Sequence, residues 1–210
     1  MPIRESLVEA DSPTGHAYFI EDGLASVVAS SPEEGEQIEV GHIGFEGVSG
    51  FHLILGVNRT PTRTFMQVAG HGFRLPVDRL TAAMEEDRKL RAHLLRYIQT
   101  YHLQLAYSAL ANGRYTIPER LARWLLMCHD RLGDAPMRLT HEFLSLMLGV
   151  RRSGVTNEIH ILEGMGAIKA TRAFITILDR EKLEDLAGGC YGMPEAEYER
   201  LMSGKARPSQ

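Results

Sequence analysis

Apolar residues along this chain change period twice, and each change marks a new kind of element. Between residues 15 and 77 they come in short alternating runs at 17–20, 24–28, 37–40, 64–68 and 73–77, the period of half-buried strands. Glu21-Asp22-Gly23, Ser31-Pro32-Glu33-Glu34-Gly35 and Gly70-His71-Gly72 interrupt these runs as turn signals. Short strands separated by turns predict a small antiparallel barrel or roll. A glycine-rich stretch, residues 41–50, lies among them. From Asp78 to Ala111 the period becomes helical: Leu80, Met84, Leu90, Leu94, Tyr97, Tyr101, Leu105 and Ser108 keep three- and four-residue spacings, and Leu95, Ile98 and Leu110 form a second stripe. One stripe suffices to pack a helix on its own roll. The second predicts a parallel homodimer, with Leu90, Leu94, Tyr97, Tyr101, Leu105 and Ser108 along the dimer helix.

Asn112-Gly113 is expected to end that helix and form a hinge. Thr116-Ile117-Pro118-Glu119 is a capping box with proline in the first turn, opening a helix that carries Leu121, Trp124, Leu125 and Cys128 and ends near Gly133. Two shorter helical patterns follow, one through Phe143, Leu144, Met147 and Leu148, the other through Val155, Ile159 and Leu162, joined at Gly149-Val150-Arg151-Arg152. Gly149 can take the left-handed conformation that ends one helix and lets the next leave steeply. Such a joint fits a plain αα-corner as well as a helix-turn-helix, whose second helix enters the DNA major groove. In the latter reading Arg152, Ser153, Thr156, Asn157 and His160 are left pointing outward, and what favours it is the sequence on either side. A hairpin, 168–170 and 174–178, then reads as a wing with Lys169 and Arg172 placed to touch phosphate, and residues 179–201 read as a last helical stretch. The fold class expected is α+β: an antiparallel β-roll over 1–77, a long dimerisation helix over 78–112 and a winged helix-turn-helix over 113–210.

Charge sharpens this division. Of the formal −4, residues 1–112 carry −5, residues 113–180 carry +3 and residues 181–210 carry −2, so the positive charge falls on the expected DNA reader. No apolar run is long enough for a bilayer, and the N-terminal residues lack the continuous apolar core of a signal peptide, so a cytoplasmic location and no membrane partner are expected. Cys128 and Cys190 suggest buried small hydrophobes, with no disulfide framework or zinc site. No nucleophile elbow, P-loop or metal motif is present, so neither an enzyme nor a cofactor is expected. A dimeric winged-helix module binding protein or RNA is the alternative, disfavoured by the polar groups of Arg152, Ser153, Thr156 and Asn157.

The whole order resembles the Crp/Fnr family of bacterial transcription regulators over roughly residues 15–200. ERLARWLLMCHDR (119–131), LTHEFLSLMLGVRRSGVT (139–156) and ITILDREKLE (175–184) carry the resemblance; AYFIEDGLASVV and EVGHIGFEGVSG fit more loosely. It implies a cyclic-nucleotide-binding-type roll, and a homodimer that reads an inverted repeat in double-stranded DNA, with RNA polymerase as a further partner. By the family's pattern the first, second and sixth residues of the recognition helix read bases: here Arg152, Ser153 and Asn157, with Thr156 beside them. Arg151, Thr140 and Arg172 are implied phosphate contacts. The family usually has an acidic residue second and an arginine sixth, so Ser153 and Asn157 leave the operator sequence open. In cyclic-AMP-binding members a glycine–glutamate pair meets the ribose, and an arginine followed by a small hydroxyl residue grips the phosphate. Glu46-Gly47 resembles the first part, but Arg63-Thr64 stands too far downstream, so a degenerate effector pocket and no cyclic-AMP response are expected. The roll's leading strands before Ala17 are expected to be shortened or absent. The N-terminal half has none of the cysteines that an iron–sulfur sensor needs, and its histidines show no recognised metal spacing, which leaves the effector unknown.

Overall fold

Two long strands dominate the N-terminal half, where four short ones are expected. The computed structural model describes residues 1–31, 37–171 and 174–203. In chain order the roll contains β1 (Ser6–Val8), β2 (His16–Ser30), β3 (Gln37–Ile43), β4 (Val48–Ser49) and β5 (Arg63–Pro76). The sheet order is β1-β5-β2-β3, all antiparallel, with β4 also on β2. β1 is therefore a leading strand before Ala17, present but only three residues long. Neither Glu21-Asp22-Gly23 nor Gly70-His71-Gly72 reverses the chain. They lie opposite each other, with Asp22 paired to His71 and the register slipping on both sides of Asp22. Gly23 sits at φ +94°, and a Cβ on Gly70 would stand 1.8 Å from the Asp22 carbonyl oxygen. Both glycines serve a double bulge in which two backbones touch, and such a bulge bends a strand pair without ending it.

The expected single helix over 78–111 is two. α1 (Val77–Glu86) stops at Asp87, whose backbone is extended, and whose carboxylate accepts hydrogen bonds from the backbone N–H groups of Lys89 (2.7 Å) and Leu90 (3.1 Å) to open α2 (Arg88–Arg114). Asn112 and Gly113 lie inside α2. The C-terminal half contains α3 (Ile117–Leu132), β6 (Met137–Arg138), α4 (His141–Leu148), α5 (Arg152–Gly164), β7 (Ile168–Ala170), β8 (Phe174–Ile177), α6 (Arg180–Ala187) and α7 (Met193–Met202). The expected capping box opens α3: Glu119 Oε2 accepts from the Thr116 backbone N–H at 2.6 Å. The wing has a third strand, β6 beside β8.

One core closes the roll, with Ala17, Ile20, Ile43 and Met66 of the sheet against Leu80 of α1 and Leu94, Tyr97 and Tyr101 of α2. The second core belongs to the C-terminal half, yet Leu24 and Val28 of β2 lie in it with Leu121, Trp124 and Leu125 of α3, Leu144 of α4 and Ile159 of α5. The reader is thus packed directly on the roll. Polar bonds pin the same joint: Trp124 Nε1 donates to Glu39 Oε1 (2.6 Å), which also meets His42 Nε2 (2.5 Å). Arg123, buried on α3, donates to the Ser108 hydroxyl (3.2 Å). No described helix is long and apolar enough to cross a membrane.

Candidate nucleic-acid interface

The geometry of the reader begins at Thr140, whose hydroxyl accepts from the Phe143 backbone N–H (3.1 Å) and caps α4. Its hydroxyl proton remains available to a phosphate oxygen. α4 ends at Gly149, at φ +62°, where the Gly149 N–H donates to Leu146 O (3.2 Å) and the Val150 N–H to Ser145 O (3.0 Å). A Cβ at Gly149 would also approach Ile38 of the roll to 3.1 Å, so glycine is demanded by the turn and by the neighbour. The half-buried Arg120 guanidinium donates to the Leu148 carbonyl oxygen and holds the end of α4 to α3.

α5 leaves this turn with Val155, Ile159 and Leu162 buried against α3 and α4, as their spacing predicts. Arg152, Ser153, Asn157 and His160 are exposed on the opposite side. Thr156 is half-buried and its hydroxyl donates to the Arg152 carbonyl oxygen (3.1 Å). Arg152 and Asn157 offer the bidentate donor and acceptor sets that recognise guanine and adenine edges. Ile161, 45% exposed on the same helix, is an apolar neighbour to this face that helical spacing assigns to no core. Arg151 and Lys169 are exposed at the entry of α5 and on β7. Glu163 fixes the wing to the reading helix by accepting from the Ala170 backbone N–H (2.9 Å). Arg172 lies outside the described residues. Arg138, exposed on β6, adds a cation to the wing sheet that only the pairing of β6 with β8 makes visible.

The expected dimer residues lie on the inward face of α2. Leu94, Tyr97, Tyr101 and Ser108 are buried within their own chain, and Leu90 and Leu105 pack half-buried on the roll. The stripe at these positions is the intramolecular one, because the concave roll takes up the bulkier residues. Ala92, Leu95, Gln99, His102, Ala106 and Ala109, alternating three and four residues apart, form the exposed face of α2. Their spacing is that of a heptad, and three of the six are alanine.

The suspected effector residues are not brought together. Glu46 faces Arg131 of α3, whose Nε donates to Glu46 Oε1 at 2.8 Å, and it also accepts from the Gly44 backbone N–H at 3.1 Å. Burial lowers the affinity of the Arg131 guanidinium for its proton, and the Glu46 carboxylate more than reverses this, so it stays charged. Gly47 leaves room for the Tyr97 hydroxyl, which would stand 2.2 Å from a Cβ there. Arg63 lies at the other end of β5, 3.7 Å from Glu9 and over the Phe65 ring, and Thr64 is buried in the sheet opposite Val27. Among the described residues, no group of three His, Cys, Asp or Glu side chains could hold a metal ion.

Residues 119–186 match the family model of the Crp-like helix-turn-helix domain. Solved structures with the same overall fold include a CRP-family transcriptional regulator from Thermus thermophilus, 18% identical, covering 90% of this chain and 96% of that one with a TM-score of 0.75. FixK2 from Bradyrhizobium japonicum is 19% identical over 90% of this chain and 95% of its own, with a TM-score of 0.77. A CRP/FNR-family regulator, also from Thermus thermophilus, is 21% identical over 89% and 96%, with a TM-score of 0.68. No curated protein matches the sequence.

Proposed function

We propose that this chain, which has the Crp/Fnr fold and carries a Crp-like helix-turn-helix domain at residues 119–186, is a transcription regulator that reads duplex DNA as a homodimer. The observation that carries the reading is the division of α5. Val155, Ile159 and Leu162 are spent on α3 and α4, while Arg152, Ser153 and Asn157 are exposed toward its N-terminal end, the part of such a helix that reaches base edges. Arg152 grips guanine O6 and N7, Asn157 suits adenine, and the Thr156 methyl suits the thymine methyl. Arg151, Lys169, the Thr140 hydroxyl and, outside the described residues, Arg172 meet phosphates and position the helix without reading sequence.

Pairing runs along the exposed seam of α2, where Ala92, Ala106 and Ala109 allow close approach and Leu95 supplies an apolar knob. The two recognition helices then enter successive major grooves about 34–36 Å apart and read an inverted repeat. Selection of bound fragments from random duplexes tests both parts: a palindromic consensus is expected, and no enrichment would overturn the reading. Arg152→Ala is expected to cost about 1–3 kcal/mol with relaxed preference at one base pair per half-site. A uniform loss on all sequences, with a shallower salt dependence, would instead make Arg152 a phosphate contact.

A further inference from the structure

A cavity of about 330 Å³ lies where the three parts of the chain meet. The β3–β4 loop contributes Glu46 to it, α2 contributes Tyr97 and Tyr101, the end of α3 contributes Arg131, and α7 contributes Glu195, Tyr198 and Glu199. We propose that this cavity binds an organic cation, an ammonium carried on a small aromatic ring, and that its occupancy sets how the reader packs on the roll.

Charge selects the class. Arg131 is the one basic residue among the described lining residues, and it is spent on Glu46 and on the Met127 carbonyl oxygen at 2.8 Å. Asp130 is likewise engaged, by Arg180 at 2.8 Å and by the Tyr191 hydroxyl at 2.7 Å. Glu195 and Glu199, one turn apart on α7, remain as excess negative charge at the mouth. A phosphate or carboxylate would meet these groups with no free cation to receive it. An ammonium gains both carboxylates and the ring faces of Tyr97, Tyr101 and Tyr198, the arrangement that holds cations over aromatic rings. Tyr101 also lines the cavity, while its hydroxyl lies against the roll, where a Cβ on Gly41 would stand 2.6 Å from it. The volume falls at the small end of ligand pockets, about 300–1,000 Å³, and suits a single ring with a short chain.

The walls come from both halves of the molecule, so a ligand that bridges Glu46 of the roll and Glu195 of α7 stabilises one packing of reader on roll over any other. Differential affinity of that kind is what couples two sites. The coupling to DNA rests on the function proposed above; the binding does not.

Calorimetric titration of the full chain with phenethylamine, beside 3-phenylpropionate as an anion of the same shape, tests the binding. One site per chain is expected, with a Kd on the order of 0.1–1 mM for so small a ligand. E195Q/E199Q removes the charge, while glutamine at 195 preserves the capping bond that Glu195 accepts from the Gly192 N–H (3.0 Å), and binding should weaken roughly tenfold or more. Absence of saturable binding, equal binding of the carboxylate, or unchanged binding by E195Q/E199Q would overturn the site. The coupling is then read as operator affinity with and without saturating phenethylamine. A shift of at least about threefold supports it, and an unchanged affinity overturns it. Failure to find any operator would sink the DNA-binding reading and leave the calorimetric result standing.

Discussion

The Glu46–Arg131 pair permits a quantitative test of how the reader is held to the roll. Both side chains are 11% exposed and their closest N–O distance is 2.8 Å. At an effective dielectric constant near 20 the gross attraction is about 6 kcal/mol. Desolvation of two ions costs several kcal/mol each, so the net worth of the pair is near zero, whereas removing one partner strands the other. Arg131→Met leaves Glu46 with only the Gly44 N–H, and should destabilise by about 3 kcal/mol. Glu46→Gln strands the guanidinium and should cost a similar amount. The double variant, with no charge left, should recover most of the loss, giving a coupling of at least about 2 kcal/mol in a double-mutant cycle. Urea unfolding supplies the free energies, provided the transition is single; the shared core around Leu24 and Val28 is the reason to expect one. A coupling below about 0.5 kcal/mol, the value of an exposed pair, would refute the reasoning.

Three further outcomes follow from the packing. Gly47→Ala should cost about 1–3 kcal/mol, because its Cβ would stand 2.2 Å from the hydroxyl of the buried Tyr97, and Tyr97→Phe in the same chain should recover part of that; additive losses would contradict the contact. Burial pushes the imidazole of His52 below its usual value near 6.5, while its Nε2 lies 2.9 Å from the Thr14 hydroxyl. The folded state therefore resists a proton that the unfolded chain accepts, so His52 contributes stability above about pH 6.5 that is lost as the pH falls below it. The urea midpoint should drop less between about pH 7.5 and about pH 5.5 in His52→Gln than in the parent, and an identical drop would exclude His52 as a source. Leu95→Glu places like charges face to face in the proposed seam and should shift the sedimenting species from dimer to monomer, while Gln99→Ala should not; an unaffected dimer would place the seam elsewhere.

The reader was legible in the sequence because its signals are local. The capping box at Thr116, the left-handed glycine at Gly149 and the spacing of Val155, Ile159 and Leu162 each act within one or two turns, and all three stand where they were expected. The roll was less so, because the same glycine permits a reversal or a bulge. Only the pairing of Asp22 with His71 across the sheet decides between them. The main stripe of α2 was visible, but not that it faces inward; of the second stripe Leu95 lies on the exposed face, while Ile98 packs half-buried on the roll. For the effector position, the family pattern pointed to Glu46, which does line a cavity. No local signal announces that Arg131, 85 residues later, occupies its carboxylate.

Because Leu24 and Val28 belong to the core of the C-terminal half, that half has no complete interior of its own. A fragment starting near residue 113 would present the flank of α3 around Leu121, Trp124 and Leu125 to water, and a contiguous apolar surface of that kind promotes self-association. The segment at 112–113 is therefore a poor place to cut. Gene fusions or chimaeras that exchange sensor halves between proteins of this architecture must carry the facing side of β2 along with the reader, or redesign α3 to meet a different floor.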